Sequence, residues 1–268
     1  MNTRVIVICL LGCYLSLTSC AKKESPSEIS HLHQDSISSS VVQSDVVPQT
    51  ESNTTQLKFI YQFTDKEIQK ISGDIAIIPF GSGYPINVGT LSEGKLEVDL
   101  SDIKINTISN TTIEEHLGHI GERLTFSCPN FTDEKIDIAQ SGSFVLIQDE
   151  MITADLFPVS DIRLENWLFS GGHEAPLKAS YYELLYTDTG FSLTTQCDNS
   201  SKGTNEKDQH FTFDLDLKKG FNLIEYHIEE TALPKDINDF VIPSKVTITN
   251  KNIDYKNIQW VFSISEGC

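Results

Sequence analysis

The stretch from His210 to Ile228 constrains this chain more than any other. Phe211, Phe213, Leu215 and Leu217 alternate with Thr212, Asp214 and Asp216. That period of two puts an apolar row on one side of a strand and a polar row on the other. Lys218-Lys219-Gly220 makes a tight turn. The alternation then resumes, with Phe221, Leu223 and Glu225 on one face and Asn222, Ile224, Tyr226 and Ile228 on the other. Similar runs at Leu57–Phe63, Asp74–Phe80, Lys95–Leu100, Lys135–Ala139 and Phe144–Gln148 read as strands. So do Tyr181–Tyr186, Phe191–Gln196, Val246–Thr249 and Ile258–Ile264, while Phe157-Pro158 breaks the pattern. Short strands joined by Gly, Asn and Asp turns predict a mainly β fold, a sandwich or barrel and not a βαβ fold, with an antiparallel β-sandwich as the expected form.

One short helix is expected near 112–124. Ile113, Leu117, Ile120 and Leu124 form a single apolar stripe, Thr111 or Thr112 can cap it, and Glu114 and Glu115 sit in its first turn. Gly118 and Gly121 weaken it, at about 1 kcal/mol each relative to Ala.

The N-terminus reads as an address. Arg4 precedes a nearly wholly apolar run from Val5 to Leu17, and small residues follow at Thr18 and Ser19. A run of about 13 residues is short of the ~20 that a membrane-spanning helix needs. Leu17-Thr18-Ser19-Cys20 resembles the lipobox of bacterial lipoproteins. That resemblance implies removal of residues 1–19, a diacylglyceryl group on the Cys20 sulfur and an acylated Cys20 amine. Two or more acyl chains hold a protein stably on a bilayer, where one holds it marginally. Ala21 follows, and not the Asp that resembles an inner-membrane retention signal, so the expected location is the cell envelope, at the outer membrane.

Residues 20–56 are rich in Ser, Gln, Thr and acidic side chains, with Pro26 and Pro48 as breakers and no aromatic residue. Such a composition buries too little apolar surface to offset ordering entropy and reads as a tether. About 36 residues of coil place the body roughly 30–36 Å from the anchor. The remainder, about 210 residues, is long enough to bury a real core. A formal net charge of −18 repels phosphate backbones, which excludes nucleic acid as a partner class. The body carries Cys128, Cys197 and Cys268, which in an oxidising compartment allow one disulfide and leave one thiol. All three pairings are open; Cys128–Cys197 is preferred because Cys268 is the last residue.

Phe213-Asp214-Leu215-Asp216-Leu217-Lys218-Lys219-Gly220-Phe221-Asn222 resembles a strand, Leu-Lys-x-Gly-Trp-Asn, strand hairpin of uncharacterised bacterial lipoproteins, with Phe221 where Trp is usual. The Tyr-rich run Tyr181–Tyr186 and the pair Gly203-Thr204 belong to the same resemblance. It implies an exported β-sandwich and brings no activity. Gly89 to Val98 is similar to the turn and strand of small carboxypeptidase-regulatory-type sandwiches. That similarity implies two β units in tandem, 57–155 with the helix and 156–268.

Chemistry is sparse. His116 and His119 share the expected helix with Glu115 and Glu122 and can offer ligands to zinc, but H-E-x-x-H is absent. His173 and Glu174 follow Gly171-Gly172 in a loop and can do acid–base work, with no nucleophile beside them. Asp188-Thr189-Gly190 and the stretch 198–206 carry oxygen ligands of the kind calcium takes, which turn chemistry explains equally. Trp167, Phe169 and Trp260 fit core packing or the lining of a sugar or peptide groove. No metal site or cofactor is expected. The expected function is a non-catalytic binding or structural module, held to the membrane through Cys20 and engaging an envelope protein or glycan. The competing class is an envelope hydrolase, with a site near His173 and Glu174 or a metal near His116 and His119.

Overall fold

The computed structural model describes residues 54–55, 57–79, 84–103, 105, 109–112, 119–120, 124–125, 135–169, 176–199, 209–232 and 241–264. All of them fall in the unit Ser38–Cys268. The described part is mainly β. It starts with β1 (Thr54–Thr55), β2 (Lys58–Gln62), β3 (Gly73–Pro79), β4 (Ile86–Ser92), β5 (Lys95–Asp99) and β6 (Ser109–Thr112). A small ladder pairs β7 (His119–Ile120) with β8 (Leu124–Thr125). The longer β9 (Lys135–Gln148) and β10 (Met151–Val159) lead to a six-residue helix, α1 (Leu164–Phe169). Then come β11 (Ser180–Thr187), β12 (Phe191–Asn199), β13 (Gln209–Leu217), β14 (Lys219–Ala232), β15 (Ile242–Thr249) and β16 (Gln259–Ile264).

Among the described residues, all strands but β7 and β8 join one 14-stranded sheet. Its main path runs β12-β13-β15-β14-β11-β10-β9-β3-β4-β5-β2, with β16 beside β10. The pairings are antiparallel except β1 with β14 and β13 with β15. The end of the sheet that holds β2 curls until its aromatic residues meet β16. Phe59 packs edge-on against Trp260 at 5.8 Å, and Phe63 against Phe262 at 6.1 Å. Side chains bridge that gap, so the sheet approaches closure without a ladder there.

The wall of the fold is β11. All eight of its residues are buried, because both of its faces are covered. Tyr182, Leu184 and Tyr186 point into a first core with Phe59, Leu96, Phe144, Phe221, Leu223 and Trp260. Tyr181 and Leu185 point into a second core with Trp167, Phe211, Phe213, Ile224, Tyr226 and Ile248. The strand period of two divides one strand between two cores. The boundary expected near residue 156 falls inside β10, where Ala154 and Leu156 join the first core and Val159 the second.

Four local readings change. The helix expected near 112–124 does not run to its end: Thr112 closes β6, and His119 and Ile120 stand opposite Thr125 and Leu124. Residues 113–118 and 121–123 lie outside the described part. Gly118 and Gly121 interrupt the helical stripe, and β-branched Ile120 and Thr125 suit a ladder. The described α-helix is α1 instead, which buries Leu164 and Trp167 in the second core. The two strands expected at 135–139 and 144–148 are one. Across Gly142-Ser143, β9 changes partners, from β11 at Ile138–Ser141 to β10 at Phe144–Gln148. Phe157-Pro158 does not break a strand. Pro158 stands opposite Trp260 of β16, past Leu156, the last residue of β10 that pairs with β9, so the missing N–H costs no bond on that side. Finally, Lys218 and Lys219 do turn the chain, yet β13 and β14 are not hairpin partners. β15 lies between them, parallel to one and antiparallel to the other.

Buried Asn222 holds that crossover. Its Oδ1 accepts from the Lys218 amide at 2.9 Å, and its Nδ2 donates to the carbonyls of Lys218 and Gly220 at 2.8 and 3.1 Å. Where β15 ends, the Asn250 side chain continues it. Asn250 accepts from the Asp216 amide at 2.7 Å and donates to its carbonyl at 3.0 Å.

Candidate functional site

Three strands, β12, β13 and β15, carry apolar residues into the second core and turn polar residues outward; β14 joins them from Ile224 to Ile228, with Glu225 and His227 on the outer side, while its Phe221 and Leu223 enter the first core. Register sets the outward residues in rows across the strands. Thr194, Asp214, Thr249 and Glu225 form one row; Gln196, Thr212, Thr247 and His227 form the next. Ser192 beside Asp216 flanks the first row, and Asp198, His210 and Lys245 flank the second. The polar half of the alternation from His210 to Asp216 is therefore one line of a broad polar face.

The side chains of this face fix one another. Ser192 Oγ donates to Asp216 at 2.9 Å and Thr194 Oγ1 to Asp214 at 3.1 Å. Lys218 pairs with Asp216 at 2.8 Å, Lys251 with Asp214, and His210 with Asp198 at 2.6 Å. Glu229 accepts from Lys245 and from Thr247 Oγ1, each at 2.6 Å. The Lys251 ammonium, and behind it the Thr194 hydroxyl, holds the Asp214 carboxyl below the usual carboxylate range. Lys218 and Ser192 do the same for Asp216, and Lys245 and Thr247 for Glu229. Each of these pairs is at least partly open to solvent, so each adds order to the surface more than stability.

At the inner border of the face, β14 meets β11 and the first core runs out. Ser180 stands opposite His227, and Tyr182 opposite Glu225. The Ser180 Oγ lies 2.5 Å from Glu225 Oε1 and 3.0 Å from His227 Nδ1, and the Tyr182 hydroxyl is 3.4 Å from the same Glu225 oxygen. Ser160 clamps the start of β11: its Oγ accepts from the Ser180 amide at 2.7 Å, and its own amide donates to the Ser180 carbonyl at 2.8 Å. The Ser180 hydroxyl has one proton, and it donates that proton to Glu225 Oε1. His227 Nδ1 must then be the donor to the Ser180 oxygen, which leaves Nε2 of the exposed imidazole facing away from the junction. Burial, and then the Glu225 charge, raises the Tyr182 phenol well above its ordinary range, so it stays a donor. The order is carboxylate, hydroxyl, imidazole. Ser180 is 3% exposed and engaged on both sides, so the junction positions His227 and presents no serine nucleophile to solvent.

A second polar group is sealed within the second core. Glu183 is 5% exposed, and the Tyr181 hydroxyl donates to its Oε1 at 2.7 Å. Tyr226 lies alongside, its ring 5.9 Å from that of Tyr181. Burial first, and the Glu183 carboxyl second, push both phenols far above their usual range.

The candidates read from the sequence are scattered. Cys20, His116, Cys128, His173 and Glu174 lie outside the described residues. His119 is a strand residue in β7, so it is not on one helix face with Glu115 and Glu122. Cys197 is buried on β12 and disulfide-bonded. Asp188 accepts from the Tyr186 hydroxyl at 3.1 Å in a turn closed by Thr187 and Thr189, and Asp198 pairs with His210. Trp167 and Trp260 are core residues, one in each core, and line no groove. Among the described residues no group of three or more His, Cys, Asp and Glu is placed to hold a metal. The Ser180 junction was missed from sequence because its members come from two strands far apart in the chain. Its only local sign is the pair Glu225 and His227 interleaved with Ile224, Tyr226 and Ile228. No known protein family, no curated protein and no solved structure matches this chain.

Proposed function

We propose that the chain is a bacterial lipoprotein, anchored through Cys20 at the outer membrane, whose β body is a non-catalytic binding module. Its docking surface is the polar face of β12, β13, β15 and β14, and its ligand class is an envelope protein or glycan. The β-sandwich is part of this proposal: the flanking parts of the sheet stack on opposite sides of the β11–β14 wall, one unit around each core.

One observation carries the reading. Hydroxyl, carboxylate and ammonium groups stand in register on a surface whose partners already hold them, backed by a packed core. A surface ordered before contact loses little side-chain entropy when it binds. Arrays of this kind match the hydroxyls and amides of a glycan or an extended chain. The lipobox residues Leu17 to Cys20 support the anchor.

The two parts are tested separately. Cys20→Ser is expected to move the protein from the membrane pellet to the soluble fraction, and retention in the pellet would end the lipid-anchor reading. For the face, co-sedimentation of the purified protein with isolated peptidoglycan sacculi and with outer-membrane protein extract is the direct measurement. Thr194→Arg together with Thr247→Arg should abolish whichever retention the parent chain shows. Retention that survives both substitutions would place the ligand elsewhere.

A further inference from the structure

We infer that the corner where β14 meets β11, at Glu225 and His227, takes an arginine side chain of a partner protein. The inference rests on the docking-face reading above and narrows its ligand class to a cationic protein segment.

The hydrogen bonds of the junction use up its donors. The Ser180 proton goes to Glu225 Oε1, the His227 Nδ1 proton to Ser180 Oγ, and the Tyr182 proton to Glu225 Oε1. What remains is the second carboxyl oxygen of half-buried Glu225 and Nε2 of exposed His227, and neither has a partner among the described residues. Both remaining groups accept. One hydroxyl holds them side by side, so their spacing is set before a ligand arrives. A glycan hydroxyl brings an acceptor as well as a donor, and this corner has nothing left to give that acceptor. A guanidinium brings five N–H donors and no acceptor, in a planar fork that can reach two neighbouring acceptors at once.

Charge selects the same ligand. On the polar face, Lys251, Lys218 and Lys245 are taken by Asp214, Asp216 and Glu229, and Asp198 has His210. Glu225 has no cation beside it among the described residues; its partners are the two hydroxyls. Asp254, in the turn before β16, adds to the imbalance. Its carboxyl accepts from the Lys256 amide and the Asn257 side chain, and its charge, like that of Glu225, bears on the Tyr182 phenol. The unneutralised charge of the face therefore collects at the corner that has spent its donors. Charge-assisted hydrogen bonds are about twice as strong as neutral ones, and arginine is prominent among the residues that dominate interfaces.

The test is fluorescence anisotropy of a labelled peptide in which Arg alternates with Ser, titrated with the full chain in non-ionic detergent at low salt. The same peptide with citrulline for Arg keeps side-chain donors and loses the charge. The parent chain should bind the Arg peptide at least about tenfold more tightly than the citrulline peptide. Glu225→Gln keeps an oxygen for Ser180 and removes the charge; it should abolish that preference. His227→Ala, at an exposed position, should reduce it about threefold. Asp74→Asn removes an exposed charge far from the corner in sequence and outside the polar face, and should leave the preference as it is. A parent chain with no preference for Arg overturns the inference. So does a preference that survives both Glu225→Gln and His227→Ala, or one that Asp74→Asn lowers as much, since either is general attraction to an acidic chain. The docking-face reading fails separately. Retention on sacculi that Thr194→Arg with Thr247→Arg abolishes, without any preference for Arg, keeps the face, assigns it a glycan and overturns this inference. An Arg preference that depends on Glu225, beside retention that ignores those two substitutions, supports the corner and removes the wider face.

Discussion

Tyr181 and Tyr226 lie side by side across β11 and β14, both fully sealed from water beside Glu183, yet their hydroxyls fare differently. Tyr181 donates to the carboxyl at 2.7 Å, whereas the Tyr226 hydroxyl lies near the same carboxyl without hydrogen-bond geometry. A buried hydrogen bond to a charged group contributes more than a neutral one, and an unsatisfied buried hydroxyl is a cost. Tyr181→Phe is therefore expected to destabilise the fold by about 1–2 kcal/mol, and Tyr226→Phe to leave it unchanged or raise it. Chemical denaturation of the two variants beside the parent chain decides the matter, and equal losses would show that the two hydroxyls are equivalent. Sequence alone places Glu183 in an apolar run but says nothing of its neighbours, since Tyr226 approaches from 43 positions along the chain.

Two turns show how far local sequence reaches at the scale of an element. Between β4 and β5 the chain turns on Glu93 and Gly94, both with positive φ, as a two-residue hairpin loop demands, and Gly94 announces it. Between β9 and β10 the same kind of turn falls on Asp149 and Glu150, at φ 49° and 65°, with no glycine to mark it. A residue other than glycine pays about 1–2 kcal/mol for that conformation, part of which glycine returns as unfolded-state entropy. Glu150→Gly should thus raise stability by about 0.5–1 kcal/mol, measured as an upward shift of the thermal midpoint. An unchanged or lowered midpoint would mean that Glu150 makes up the strain with a contact of its own. The polar sheet face has its own signature in pH. Asp214, Asp216 and Glu229 titrate below their unfolded values, so their contribution is complete above the ordinary carboxylate range. It is lost as pH falls from the ordinary carboxylate range through their lowered values. Lys251→Met should remove the Asp214 share and flatten that part of the acid limb; an acid limb identical to that of the parent chain would show that the pair adds nothing. The strands of this face were legible because each alternates by itself. Their order was not, because nothing in Lys218-Lys219-Gly220 foretells that β15 returns from beyond residue 240 to part β13 from β14.

At the scale of the whole molecule, the chain shows two apolar cores but one sheet, and the consequence depends on β11. Its sequence, Ser-Tyr-Tyr-Glu-Leu-Leu-Tyr-Thr, reads as a buried strand without saying that two cores share it. Tyr182, Leu184 and Tyr186 serve the first core, Tyr181 and Leu185 the second, and β10 and β14 divide in the same way. Tandem units with separate walls would unfold one after the other. Units that share a wall cannot, because loss of β11 opens both cores at once. The chain supplies one reporter for each, Trp260 in the first core and Trp167 in the second. Trp167→Phe leaves fluorescence from the first core alone, and Trp260→Phe from the second alone. Each substitution shifts stability itself, so the informative variable is a further change on β11. Leu185→Ala faces only the second core and should cost about 2–5 kcal/mol by cavity formation. In the Trp167→Phe background, where only Trp260 reports, that change is expected to lower the urea midpoint of the first core by as much as it lowers the second core's midpoint in the Trp260→Phe background. A Trp260 midpoint that stays in place while the Trp167 midpoint falls would show two independently folding units, and the shared wall would then be a contact and not a coupling.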